Sequence, residues 1–183
     1  LLLKTDGNDG KDSGTFENRQ GAVTTLAALI SEAGSSVTND GTIKLSEGST
    51  GASVISGTFK NNNAAEFYDL ALEIGSSYEN AGKTTVKNLL SLNDVNSLKM
   101  NSGSVNTKTV DFNFANKSDA LDLRKGLLKT ESLTVSKGNV LLSDFSSPDA
   151  SVKTLADGSL SATTLKANEV INAGVVAVNS YYS

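Results

Sequence analysis

Hydrophobic residues in this chain recur in short alternating runs, and the runs themselves recur. Ile43 and Leu45 alternate with Thr42 and Lys44; Leu70, Leu72 and Ile74 alternate with Ala71 and Glu73. Such alternation puts one set of side chains inside and the other in solvent, the mark of a half-buried strand. Short strands are also predicted at Val110–Phe114, Leu121–Leu123, Leu133–Val135, Val140–Leu142, Leu160–Leu165 and Val175–Val178. Residues 21–33 are ambiguous. Val23, Leu26, Ala27 and Ile30 fall at helical spacing and Gly34 could close a C-cap, but Thr24 and Thr25 are poor helix formers. A strand through Val23 and another through Leu29 is the preferred reading. Residues 89–98 show no clear period, and residues 4–15 read as an exposed loop or disordered insertion. The side chains expected inside are Ile43, Leu45, Phe59, Leu70, Leu72, Ile74, Val86, Val140 and Val176.

A looser repeat overlies this alternation. An apolar residue is followed two positions on by Asn, then by Gly or another small residue, then by aliphatic residues. Val37-Thr-Asn39-Asp-Gly41-Thr-Ile43 shows it best, and Tyr78-Glu-Asn80-Ala-Gly82 repeats it. Phe16-Glu-Asn18 and Phe59-Lys-Asn61 are variants, and degenerate copies start at Met100, Val135, Leu155 and Ile171. Most starts lie roughly 16 to 22 residues apart, a unit too short to bury its own core, so the units must stack. The expected fold is all-β: a right-handed parallel β-helix of about nine rungs, forming one elongated domain over residues 1–183. Asn18, Asn39, Asn61 and Asn80 are expected to form a ladder of amides, and Phe16, Val37, Phe59 and Tyr78 an apolar stack.

Composition narrows the chemistry. The 183 residues carry a net charge of -4 with scattered basic residues, which argues against a nucleic-acid footprint. No apolar run approaches the roughly 18 residues needed to cross a bilayer. The absence of Cys and His removes thiol chemistry and His-assisted nucleophilic catalysis. The chain begins at Leu1 with neither an initiator Met nor a signal peptide, as a processed product or fragment would.

Segments such as Gly57-Thr-Phe59-Lys-Asn61-Asn and Val37-Thr-Asn39-Asp-Gly41-Thr-Ile43 resemble passenger repeats of bacterial autotransporter adhesins. The resemblance covers Ser35–Val86 well and the remainder only in composition. It implies a β-helix displayed on the surface of a Gram-negative cell, or secreted, as part of a longer chain. The function it implies is attachment to a host glycan or protein, or self-association with identical molecules on neighbouring cells, leading to aggregation. No binding residue can be transferred from it. No catalytic residue, cofactor or metal is assigned, and a non-enzyme is expected. The alternative is a β-helix carbohydrate-active enzyme, a polysaccharide hydrolase or lyase, because two carboxyl groups suffice for glycoside hydrolysis.

Two motifs suggest other chemistry. Gly82-Lys83-Thr84 looks like the end of a phosphate-binding loop, but the first Gly of that loop is replaced by Ser77. Asp6, Asn8, Asp12 and Glu17 stand at positions 1, 3, 7 and 12 of a calcium loop, but Gly10 and Lys11 occupy positions where a ligand and the turn Gly belong. The repeat explains the first better, and a solvated acidic loop explains the second.

Overall fold

A computed structural model describes residues 1–3 and 14–182 of the chain. Among the described residues it is all-β, with parallel strands stacked as a solenoid of about eight turns. At about 4.8 Å per turn the stack is roughly 40 Å long. The count is one turn below the sequence expectation because turn length varies. The stacked register steps by 23 residues from Ser104 to Leu127 and by 16 from Ser159 to Val175.

Each turn in the first half has three strands at three faces. After β1 (Leu2–Leu3), the first full turn holds β2 (Thr15–Asn18), β3 (Val23–Leu26) and β4 (Ile30–Ser31). The next holds β5 (Ser36–Asn39), β6 (Thr42–Leu45) and β7 (Ala52–Ile55), and the next β8 (Thr58–Asn61), β9 (Ala64–Phe67) and β10 (Asp69–Leu72). Then β11 (Ser77–Asn80) is followed by β12 (Lys83–Leu92), and β13 (Leu98–Met100) by β14 (Ser104–Asn113). Both β12 and β14 serve two faces each, and their mutual register shifts at a bulge between Val86 and Leu89. Last come β15 (Ala120–Asp122), β16 (Leu127–Asn172) and β17 (Val175–Tyr182). A straight strand of β16's 46 residues would reach about 150 Å, far beyond the stack. It coils instead: its start pairs with β14, its middle with β15 and its later part with β17.

The Asn-x-Gly repeat is a corner. On the first face β2, β5, β8, β11 and β13 stack in order, aligning Phe16, Val37, Phe59, Tyr78 and Leu98. Phe59 and Tyr78 lie nearly parallel with centroids 4.7 Å apart, and Phe67 meets Phe59 edge-on at 5.9 Å. Two residues on, the buried Asn18, Asn39, Asn61 and Asn80 form the expected ladder. Asn18 Nδ2 donates to Asn39 Oδ1 (2.7 Å), Asn39 Nδ2 to Asn61 Oδ1 (2.7 Å), and Asn61 Nδ2 to Asn80 Oδ1 (2.9 Å). The chain then turns, and each corner packs on the backbone below. A Cβ on Gly82 would overlap the Asn63 carbonyl oxygen, and one on Gly103 the Gly82 carbonyl, so this corner admits no side chain directed inward.

Several expectations are corrected. Ile74 is 74% exposed although it continues the alternation of β10. The strand stops at Leu72, and Glu73–Ser76 forms a turn closed by a hydrogen bond from Ser76 N to Glu73 O, with Gly75 at φ 82°. Ile43, Phe59, Leu70, Leu72, Val86 and Val140 are buried as expected; Leu45 and Val176 are only partly so. Met100 does not start a repeat. It aligns with Asn80, and Leu98 takes the apolar position. Val135 lies opposite Phe112 on a different face, and Leu155 and Ile171 are exposed. In residues 21–33 the strands are β3 and β4; the second begins at Ile30, one residue beyond the expected Leu29, whose side chain is fully buried. The aperiodic stretch 89–98 contains the end of β12, where Leu90 and Leu92 point inward. The expected loop 4–15 lies mostly outside the described residues, and Thr15 already belongs to β2.

Candidate binding surface

Alternation fixes which residues the solenoid shows to solvent, and stacking sets them in rows one strand spacing apart. On the first face the outward row reads Glu17, Thr38, Lys60, Glu79 and Lys99. Opposite charges alternate along its end, and Lys99 pairs with Glu79 at 3.3 Å. The third face carries small outward residues such as Ala71, Ser91, Asp111 and Thr134 in one row. In this row Asp111 is engaged by the Ser136 hydroxyl at 2.9 Å.

The second face differs. Its outward row runs Glu66, Thr85, Asn106 and Lys129. Lys87 reaches back to Glu66 at 3.2 Å, while Lys108 sits opposite Glu131 one rung on. Beside this row lies the segment Ser146–Asp149 of β16. Its two ends are pinned by Phe145 and Ala150, both fully buried, and it contains Pro148, the chain's one proline. Row and segment border an open depression of about 370 Å³ lined by Asn106, Lys129, Glu131, Ser147, Pro148 and Asp149. A second depression of about 210 Å³, lined by Thr85, Lys87, Asn106, Lys108 and Glu131, adjoins it and shares Asn106 and Glu131 with it. Together they form one polar groove across successive rungs. No motif marks it in the sequence, because its residues come from four successive turns and stand at outward positions where polar residues are ordinary.

The residues of the two suggestive motifs sit elsewhere. Gly82 is a corner glycine, and Thr84 is buried with its hydroxyl bonded to the Tyr78 hydroxyl (2.8 Å) and to Asn80 Oδ1 (3.1 Å). That hydroxyl faces the core and closes the Asn ladder. Of the calcium-loop residues, Asp6, Asn8 and Asp12 lie outside the described residues, and Glu17 faces outward near Arg19 at 3.9 Å. Three groups among the described residues titrate abnormally, one of them Arg124, raised chiefly by its hydrogen bond to Asp122. Burial pushes the Tyr78 phenol well above its usual range, opposed in part by its bond to Thr84. The exposed Asp122 is held down to about 2, chiefly by a side-chain hydrogen bond from Arg124 (2.6 Å) and by the Arg124 backbone N–H (3.0 Å). None of the three lies in the groove. No protein-family model, curated protein or solved structure matches this chain.

Proposed function

We propose that this chain is a passenger segment of a bacterial cell-surface adhesin of the autotransporter type, acting by attachment or by self-association between cells. The observation that supports it most is the solenoid's outer surface. It presents mostly polar side chains in rows that continue from rung to rung, so one face offers many weak contacts side by side. Each hydrogen bond contributes only about 0.5–1.5 kcal/mol net, but display of many copies on a cell multiplies them. Short Ser, Thr and Asn side chains suit this role because little rotamer freedom is lost on contact.

The test displays the full-length protein on cells and replaces outward rows, face by face, with bulky charged residues. Aggregation or attachment should fall when the working face is altered and persist when the others are. If folded variants of all three faces leave both unchanged, adhesion through the solenoid surface is wrong. One observation favours the carbohydrate-active enzyme instead: Glu131 and Asp149 line the same groove. That reading requires the purified chain to cleave a polysaccharide and lose the activity in Glu131→Gln or Asp149→Asn. The adhesive reading expects no cleavage.

A further inference from the structure

We propose that the groove on the second face binds an extended segment of a neutral hexose chain. The proposal rests on the adhesive reading for its biological role and narrows that role to a ligand class.

Four observations point to this chemistry. First, the groove offers both donors and acceptors that the protein leaves free. Among the described residues, the side chains of Asn106, Lys129, Glu131, Ser147 and Asp149 take part in no hydrogen bond or ion pair with one another or with other groups. Asn106 is half-buried on a strand paired on both sides, so its backbone position is fixed before a ligand arrives. A sugar hydroxyl both donates and accepts, and a mixed lining suits a run of hydroxyls.

Second, the charges balance. Lys108 and Lys129 are offset by Glu131 and Asp149, and Lys87 by Glu66. A polyanion would find no net field to draw it in. Third, the floor cannot extend a sheet. β14 pairs with β12 on one side and β16 on the other, so no free backbone edge remains for an added peptide strand. The lining also lacks a deep apolar pocket to anchor a peptide side chain. Fourth, the geometry is periodic. Thr85, Asn106 and Lys129 stand one rung apart, about 4.8 Å, close to the advance per sugar of an extended 1,4-linked hexose chain. Pro148, exposed at the edge of the groove, offers an apolar ring against which a sugar can rest.

The test uses the soluble chain with cellohexaose, chitohexaose and mannohexaose, and oligogalacturonate as the acidic comparison, read by saturation-transfer NMR and titration. At least one neutral oligosaccharide should bind, near the millimolar range expected of an open polar groove. The double variant Asn106→Ala, Lys129→Ala should weaken it about five- to tenfold, the loss of two modest hydrogen bonds. Thr38→Ala, on the first face, should leave it unchanged. Circular dichroism of each variant checks the fold, and Lys129→Glu alone provides a second route if the double variant is unstable. Absence of transfer to all three neutral probes overturns the proposal, as does tighter binding of oligogalacturonate or binding indifferent to the groove variants. If no neutral probe binds yet displayed cells still attach or aggregate, the groove is wrong and adhesion stands. If the groove binds but cells neither attach nor aggregate, the adhesive reading fails alone.

Discussion

The turns before Met100 and those after it solve the same stacking problem differently. In the earlier turns the first face carries a repeated device: an aromatic or aliphatic stack, an amide ladder and a corner that is small or glycine. Asn61 alone donates to Asn80 Oδ1, to the Thr84 hydroxyl (3.2 Å) and to Lys83 O (3.2 Å), while accepting from Asn39. The ladder stops where Met100 takes the next position; Asn80 Nδ2 meets its sulfur at 3.8 Å and turns to Ser104 O at 3.0 Å. β13 is the last strand of that sheet, and β15 pairs with β16 instead. Beyond it, aromatic and aliphatic side chains fill the centre, with Phe112, Phe114 and Phe145 all buried. Polar satisfaction passes to threonines: Thr107 donates to Thr109 O (2.8 Å) and Thr130 to Ser132 O (2.9 Å). Thr130 also reaches Lys108 O one turn back (3.0 Å), but a hydroxyl that bonds a backbone carbonyl does not dictate which side chain stands one turn away, whereas a ladder amide does. The earlier turns therefore keep a regular repeat, and the later ones drift in length and sequence.

The largest expected effect is in the aromatic stack. Phe59→Ala should cost about 3–5 kcal/mol, because the fully buried ring contacts both Tyr78 and Phe67. Val176→Ala, at a half-exposed position of β17, should cost under about 1 kcal/mol. Chemical denaturation measures both, and hydrogen exchange should show the damage concentrated in the rungs beside Phe59. Equal losses would remove the contrast between the two regions.

Next is the ladder itself. Asn61→Ala should cost about 2–3 kcal/mol, since it breaks several buried bonds and leaves neighbouring amides short of partners. Thr130→Val should cost about 1 kcal/mol, losing the bonds to Ser132 O and, one turn back, to Lys108 O, but leaving no side-chain amide without its partner. A Thr130 loss as large as that of Asn61 would show that threonines couple turns as the amides do.

Tyr78→Phe sharpens the contrast through pH. The folded phenol titrates above its unfolded value, so its stabilisation is complete below pH about 10 and is lost as pH rises beyond that. The variant should lose about 1 kcal/mol at neutral pH and show a shallower alkaline decline. An unchanged alkaline profile would mean that the phenol ionises without unfolding.

The smallest effect belongs to the later region. Asp122 is depressed by Arg124, so its contribution is present above the unfolded value of about 4 and fades as pH falls through about 2. Both side chains are exposed, so solvent screening leaves Asp122→Asn with a cost below about 0.5 kcal/mol. A larger loss on thermal melting at pH 7 would make this corner a structural anchor of the later turns.

The sequence by itself determined the solenoid, the amide ladder and the apolar stack. All three follow from local alternation and from residues repeated at similar spacing, and a short unit with one buried edge must stack. It misplaced Ile74 because alternation continues in the letters after Leu72 even where the backbone turns. It also misread the frame after Met100, because a Met in the Asn position and an unbroken β16 leave no corner signal to count from. The groove was decided by tertiary structure alone. Thr85, Asn106, Lys129 and Asp149 are scattered along the chain, and only the register between rungs and the buried anchors Phe145 and Ala150 bring them to one surface. Outward positions carry no packing constraint, so nothing local distinguishes a residue that lines a groove from one that merely faces water.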